Sequence, residues 1–125
     1  LRNASDALCD AMDADIRAAC ARAQAASGLP VQIEPASAYP AQAFDAGCVA
    51  AVAAAAERLG YSAMPVVSGA GHDAVYLARR APAGMIFVPC AGGISHNEIE
   101  DAKPEHLEAG CNVLLQVMLQ HAGRV

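Results

Sequence analysis

Apolar residues recur at helical spacing, three or four positions apart, in several parts of the chain. In the first of these, Ser5 is a good N-cap, Asp6 adds an acid to the first turn, and Gly28 with Pro30 ends the pattern. The same signals recur further along, and Pro104 suits a first-turn position. The predicted helices run from Ser5 to Gly28, from Asp45 to Gly60, from about Asp73 to Arg80, and from Pro104 to Gly123, the last with an apolar stripe of Leu107, Cys111, Leu114, Met118 and Ala122.

Three short segments between these helices are typical of strands. "VQIEP" at 31–35 alternates apolar and polar residues, whereas "MPVV" at 64–67 and "MIFV" at 85–88 are apolar runs of buried-strand length. From Asp45 onward the predicted order is helix, strand, helix, strand, helix, which favours an α/β layer with parallel strands. The segment "SAYPAQ" at 37–42 has no period, so we interpret it as a connection between two substructures.

Composition and charge exclude some classes of function. The chain has 125 residues, enough for one domain, and its net charge of −5 argues against nucleic acid as the main partner. No apolar run reaches the roughly 18–20 residues of a membrane span, and "LRNASDALCD" does not resemble a signal peptide. Five cysteines without a CxxC pair favour reduced thiols in the cytoplasm. Because helix signals follow Leu1 at once and no initiator methionine precedes it, we expect a piece of a longer polypeptide.

The turn "SGAGHDA" at 68–74 follows a predicted strand, where ligands of open α/β sheets gather. Its glycines would let backbone N–H groups approach a ligand closely. The spacing lacks a full dinucleotide or P-loop fingerprint, however. A tight turn with Asp73 capping the next helix and His72 beside it is therefore an open alternative.

The loop "GGISHNEIE" at 92–100 presents His96 with two acids close behind it. Imidazole is the commonest metal-binding side chain, and nearby carboxylates can fix its tautomer. One histidine does not make a metal site, since a catalytic zinc needs about three protein ligands. A loop histidine bonded to backbone is the alternative. Cys90 with His96 as its base is another, although no residue stands out to orient that base.

Taken together, "SGAGHDA", "GMIFVP" and "GGISHNEIE" resemble the C-terminal third of the M20 metallopeptidase-related amidases. The resemblance is closest to the hydantoinase/carbamoylase branch, which includes N-carbamoyl-L-amino-acid hydrolases, β-ureidopropionases and allantoate amidohydrolases. It implies the C-terminal part of an α/β, zinc-peptidase-like catalytic domain at residues 41–125. Residues 1–40 would then be the end of an α+β lid and dimerisation domain.

The resemblance also implies site roles. His96 stands where the family has a ligand of a two-metal centre, with zinc expected and manganese, cobalt or nickel as alternatives. Arg2 would grip the substrate carboxylate as a planar fork, and Gly71 would offer a backbone contact to the substrate. Cys90 and Glu98 depart from the serine and proline common in the family. The other metal ligands and the general-base glutamate would lie upstream, in a missing N-terminal part, so this segment alone should be inactive.

The function implied is metal-dependent hydrolysis of the carbamoyl C–N bond of N-carbamoyl amino acids by a cytoplasmic homodimer. The metals would activate a water molecule for direct attack, so no covalent intermediate is expected. Allantoate amidohydrolase is the nearest alternative. An alternative from another class is a non-catalytic lid or dimerisation segment, for which His96 would have no role.

Overall fold

The computed structural model describes residues 1–123, which form helices joined by irregular segments. The α-helices of this range are α1 (Asp6–Ser27), α2 (Ala46–Arg58), α3 (Ala74–Ala78) and α4 (Pro104–His121), with a 3₁₀ helix at Ala91–Gly93 between the last two. All four predicted helices are thus confirmed. Within residues 1–123, no helix combines the length and apolar character needed to cross a membrane.

Helix α1 begins and ends at the residues that its capping signals indicated. The hydroxyl oxygen of Ser5 accepts a hydrogen bond from the Leu8 N–H at 3.4 Å. At the other end Gly28 adopts φ 71°, a left-handed conformation that glycine tolerates best, and its N–H bonds to the Gln24 carbonyl oxygen at 2.9 Å. The apolar side of α1 is not buried: Leu8 is 55 % exposed and Ile16 is 44 % exposed.

Helices α2 and α4 pack against each other and form the core. Asp45 caps α2 by accepting the Cys48 N–H at 2.8 Å, and this hydrogen bond to the charged carboxylate lowers the pKa of Asp45. The most buried residues are the small side chains Ala55 and Ala56 of α2 and Val113 of α4. Alanines on α2 let the two helices approach closely, so the core is thin.

The predicted apolar stripe of α4 is not the face that α2 covers. Leu107, Leu114 and Met118 are 50 %, 49 % and 61 % exposed, and Cys111 is exposed as well. Val113 is buried instead. The prediction was right about the helix and wrong about its buried side, because α2 contacts a neighbouring face and leaves the stripe uncovered.

The α/β layer is not confirmed, since residues 1–123 contain no strand. The segments at 31–35, 64–67 and 85–88 have neither helix nor strand. Met64, Val66 and Val67 are 76 %, 65 % and 74 % exposed. A strand exists only when its backbone pairs with a neighbouring strand, so a strand-like sequence without such a neighbour stays irregular.

The chain divides into two compact units. The first unit consists of Leu1–Ala43 and Val67–Gly71, and contains α1. The second consists of Phe44–Val66 and the residues from His72 onward, and contains α2, α3 and α4. The assignment of residues 1–40 to a lid and 41–125 to a catalytic domain stays a prediction, and residues 124 and 125 lie outside the described range.

Candidate functional site

Arg2 and Gly71 belong to the first unit. The side chain of Arg2 lies against the turn at 68–71. A Cβ atom placed on Gly69 would be 3.3 Å from Cδ and 3.6 Å from Nη1 of Arg2. Gly69 therefore makes room for the guanidinium chain beside the turn.

The turn itself is held locally, because the Ala70 N–H donates to the Ser68 hydroxyl oxygen at 3.2 Å. Gly71 is exposed, and a Cβ atom added to it would meet no atom within 4 Å. A ligand could thus approach the Gly71 backbone. These contacts bring Arg2 and the turn together, and they do not test the substrate-binding roles predicted for Arg2 and Gly71.

The structural alternative for the following residues is correct only in part. Asp73 does stand at the N-cap position of α3, but its side chain makes no capping hydrogen bond. Its own backbone is helical, at φ −60° and ψ −28°, whereas a capping side chain is normally carried by extended backbone. His72 contacts Phe87 edge to face, with ring centroids 5.4 Å apart.

His96 lies in the second unit, on a loop that closes on itself. The Ala91 N–H donates to the Asp101 carbonyl oxygen at 2.7 Å and joins the two ends of the loop. Between them, Gly92 and Gly93 adopt φ 60° and 70°, which accounts for the glycine pair in the sequence. His96 adopts φ 56° and is the one residue other than glycine with a positive φ within 1–123.

A carboxylate spans this loop. Oε2 of Glu100 accepts the backbone N–H of His96 at 2.7 Å, and Oε1 lies 3.8 Å from Sγ of Cys90, which donates to it. Carboxylates near a ligating histidine can fix its tautomer by contacting the imidazole, but the contact of Glu100 is to the His96 backbone. Spacing alone could not indicate this, since four residues in a loop have no fixed geometry.

The loop borders an open pocket of the second unit. His72, Phe87, Cys90, His96, Glu100 and Asp101 are among the residues lining it. Two histidines, a cysteine, a glutamate and an aspartate are thus among the residues that border the same space. The hydrogen bond of the Cys90 thiol is to Glu100 and not to His96, so the geometry does not pair Cys90 with His96 as its base.

These residues do not make a metal site by themselves. Within residues 1–123, no group of three or more His, Cys, Asp or Glu side chains is arranged to hold a metal ion. A catalytic zinc needs about three protein ligands, so His96 could at most contribute one of them. Any metal centre at His96 would need ligands from outside the described part of the chain.

Comparison with known proteins places nearly all of the chain in one family. Residues 7–120 match the profile of peptidase family M20/M25/M40. The N-carbamoyl-L-amino-acid amidohydrolase of Rhizobium meliloti is 43 % identical over 122 residues, which cover 98 % of this chain and 29 % of the relative. The allantoate amidohydrolase of Bacillus subtilis (strain 168) is 44 % identical over 63 residues, or 50 % of this chain and 15 % of that enzyme.

Solved structures of related amidases also resemble this chain closely. A hydantoinase/carbamoylase family amidase from Burkholderia multivorans superposes with a TM-score of 0.93 and 54 % sequence identity. The match covers 96 % of this chain and 29 % of that one. The chain therefore spans less than a third of the length of these relatives.

Proposed function

Because the chain belongs to peptidase family M20/M25/M40, we propose that it is part of a hydrolase that cleaves the carbamoyl C–N bond of N-carbamoyl amino acids. The observation that carries this proposal is the match of 98 % of the chain to an N-carbamoyl-L-amino-acid amidohydrolase. The reaction consumes one water molecule and releases carbon dioxide, ammonia and the free amino acid.

The proposal assigns three residues of this chain. His96 supplies one ligand of a centre of two divalent metal ions, zinc being our first choice, and the remaining ligands come from another part of the longer protein. Arg2 holds the substrate carboxylate through its guanidinium fork, which matches a carboxylate bidentately. Gly71 offers its backbone to the substrate where no side chain blocks approach.

Exposure of the site residues supports a role completed by other parts of a longer protein. Arg2, Gly71 and His96 are all exposed in this chain, and ligand sites normally bury most of the ligand surface. We therefore expect the protein to comprise this chain and a larger N-terminal part, since the chain covers 29 % of a relative. We further propose a cytoplasmic location, which five cysteines without a CxxC pair favour, and a homodimer formed through the domain to which residues 1–40 belong.

Metal analysis of the longer protein tests the proposal directly. We expect His96→Ala to lose about one equivalent of metal per chain and to lose hydrolytic activity while its circular dichroism is unchanged. His121→Gln is the matched control, since His121 is an exposed histidine at the end of α4. An equal metal load in wild type and His96→Ala would show that His96 is only a loop histidine, and the assignment of His96 as a metal ligand would fall.

Allantoate hydrolysis is the second candidate, favoured by the 44 % identity to the Bacillus subtilis enzyme over half of the chain. Rates on N-carbamoyl-L-amino acids, N-carbamoyl-β-alanine and allantoate would separate these activities. A non-catalytic association segment predicts instead that the longer protein binds its partner without metal and hydrolyses none of the three.

A further inference from the structure

The backbone of His96 is held in an unusual conformation. A φ of 56° is uncommon for residues other than glycine, because Cβ then approaches the neighbouring carbonyl oxygen. Such a conformation persists only where surrounding contacts fix it. The φ angle of a residue sets the direction of its Cα–Cβ bond relative to the preceding backbone. It therefore matters for a residue whose side chain must point at a ligand.

The contact that fixes His96 is the carboxylate of Glu100. A hydrogen bond from a backbone N–H to a charged oxygen is stronger than one between neutral groups, and the 2.7 Å distance is short for its class. The other oxygen of the same carboxylate receives the thiol of Cys90, near the closed end of the loop. One carboxylate oxygen of Glu100 thus contacts the Cys90 thiol, and the other holds the backbone N–H of His96.

We propose that Glu100 is a positioning residue that aims the imidazole of His96 by locking the left-handed backbone of that residue. The inference deepens the proposed function and rests on it, because the imidazole needs aiming only if it has a ligand. Glu100 acts through the His96 N–H and not on the imidazole. This differs from the common arrangement in which a carboxylate orients a ligating histidine through its second ring nitrogen.

A purely structural role for Glu100 would give different results. If the carboxylate only stabilised the loop, its removal would lower thermal stability and leave metal binding unchanged once the protein is folded. If it aims His96, its removal must weaken the hold on metal in protein that is fully folded. Metal retention is therefore the deciding measurement, together with the chemical shift and exchange rate of the His96 backbone amide proton.

The experiment uses the longer protein and compares Glu100→Ala and Glu100→Gln with wild type. Glu98→Gln is the matched control, since Glu98 is an exposed acid of the same loop. Zinc release to a chelator is measured with the circular dichroism of each variant. We expect Glu100→Ala to lower zinc affinity by about 10- to 100-fold, the usual effect of losing a partner that orients a ligand. Glu100→Gln keeps one acceptor oxygen and should lie between, and Glu98→Gln should match wild type.

A second measurement keeps the two proposals distinguishable. In metal-free, ¹⁵N-labelled protein the amide proton of His96 should shift upfield and exchange faster in Glu100→Gln than in wild type. If His96→Ala loses metal but both Glu100 variants retain it as wild type does, the positioning role is overturned and the proposed function stands. If wild type and His96→Ala hold the same amount of metal, His96 is not a ligand, and the positioning role of Glu100 falls while hydrolysis by the longer protein is judged by its activity alone. Should Glu100→Ala fail to fold, Glu100→Gln decides.

Discussion

At the scale of single residues, the proposed grip on the substrate carboxylate depends on Arg2 and the turn beside it. The guanidinium chain lies within 3.3 Å of the place where a methyl group on Gly69 would stand. This distance is tighter than ordinary van der Waals contact, so a methyl group there must displace Arg2 by a few tenths of an ångström. The end of an arginine side chain is flexible and moves easily.

If Arg2 holds the substrate carboxylate as proposed, its removal should weaken substrate binding. In the longer protein we expect Arg2→Ala to raise KM for N-carbamoyl amino acids by about 10- to 100-fold, the equivalent of losing charge-assisted hydrogen bonds, with kcat changed much less. Gly69→Ala should raise KM by a smaller factor in the same direction. The control is a substrate whose carboxylate is replaced by a carboxamide. Equal KM changes for the two substrates would remove the carboxylate from the explanation.

The roles of Arg2, Gly71 and His96 stay predictions, because they came from the resemblance of the sequence to one family. The link from Glu100 to the His96 backbone could not be predicted, since a loop side chain's partner depends on backbone angles that its sequence does not determine. His96 in a left-handed conformation is a case of this, because spacing contains no information about φ.

At the scale of elements, helices were predictable and strands were not. Caps such as Ser5 and Asp45 accept hydrogen bonds from N–H groups three residues away, so the local sequence indicates where a helix begins. The segment at 85–88 has the composition of a strand, but strand formation depends on a partner elsewhere in the protein. The buried side of α4 depends likewise on what packs against it, which is why Val113 and not Leu114 is buried.

The contact between Gly110 of α4 and Val88 tests this packing. A Cβ atom on Gly110 would lie 2.6 Å from Cγ1 of Val88, closer than real atoms approach. In an open helix, glycine to alanine stabilises by about 1 kcal/mol. Here we expect Gly110→Ala to destabilise the protein by about 1–3 kcal/mol, measured by urea unfolding, because the overlap strains α4 or Val88.

A double variant provides the control. Val88→Ala removes the clashing methyl group, so the free-energy cost of Gly110→Ala should largely vanish in the Val88→Ala background. A stabilising effect of Gly110→Ala in the wild-type background, or identical costs in both backgrounds, would show that α4 does not approach Val88 in this way.

At the scale of the whole molecule, the second unit leaves an apolar groove uncovered. Cys48, Ile86, Leu107, Leu114 and Val117 are among its lining residues. Large exposed apolar surfaces on a protein mark places where something else packs. The chain spans 29 % of the length of the amidohydrolase from Rhizobium meliloti, so a longer protein would have ample sequence to cover this groove.

We therefore expect one substitution to be nearly neutral in the 125-residue chain and destabilising in the longer protein. Leu114 is 49 % exposed here, so Leu114→Glu should change the stability of the 125-residue chain by less than about 0.5 kcal/mol. In the longer protein the same change would bury a charge in an apolar contact and should destabilise by about 3 kcal/mol or more. Thermal unfolding of both proteins measures the difference.

Glu108→Gln serves as the control, since Glu108 is an exposed residue of the same helix and should be neutral in both settings. If Leu114→Glu is harmless in the longer protein too, the groove stays open to solvent there. Its apolar surface would then have to be covered by something other than the rest of that protein. If Leu114→Glu destabilises only the longer protein, the stripe on α4 is an internal contact of that protein. The exposed Leu107, Cys111 and Met118 would then be core residues that the 125-residue chain lacks the means to bury.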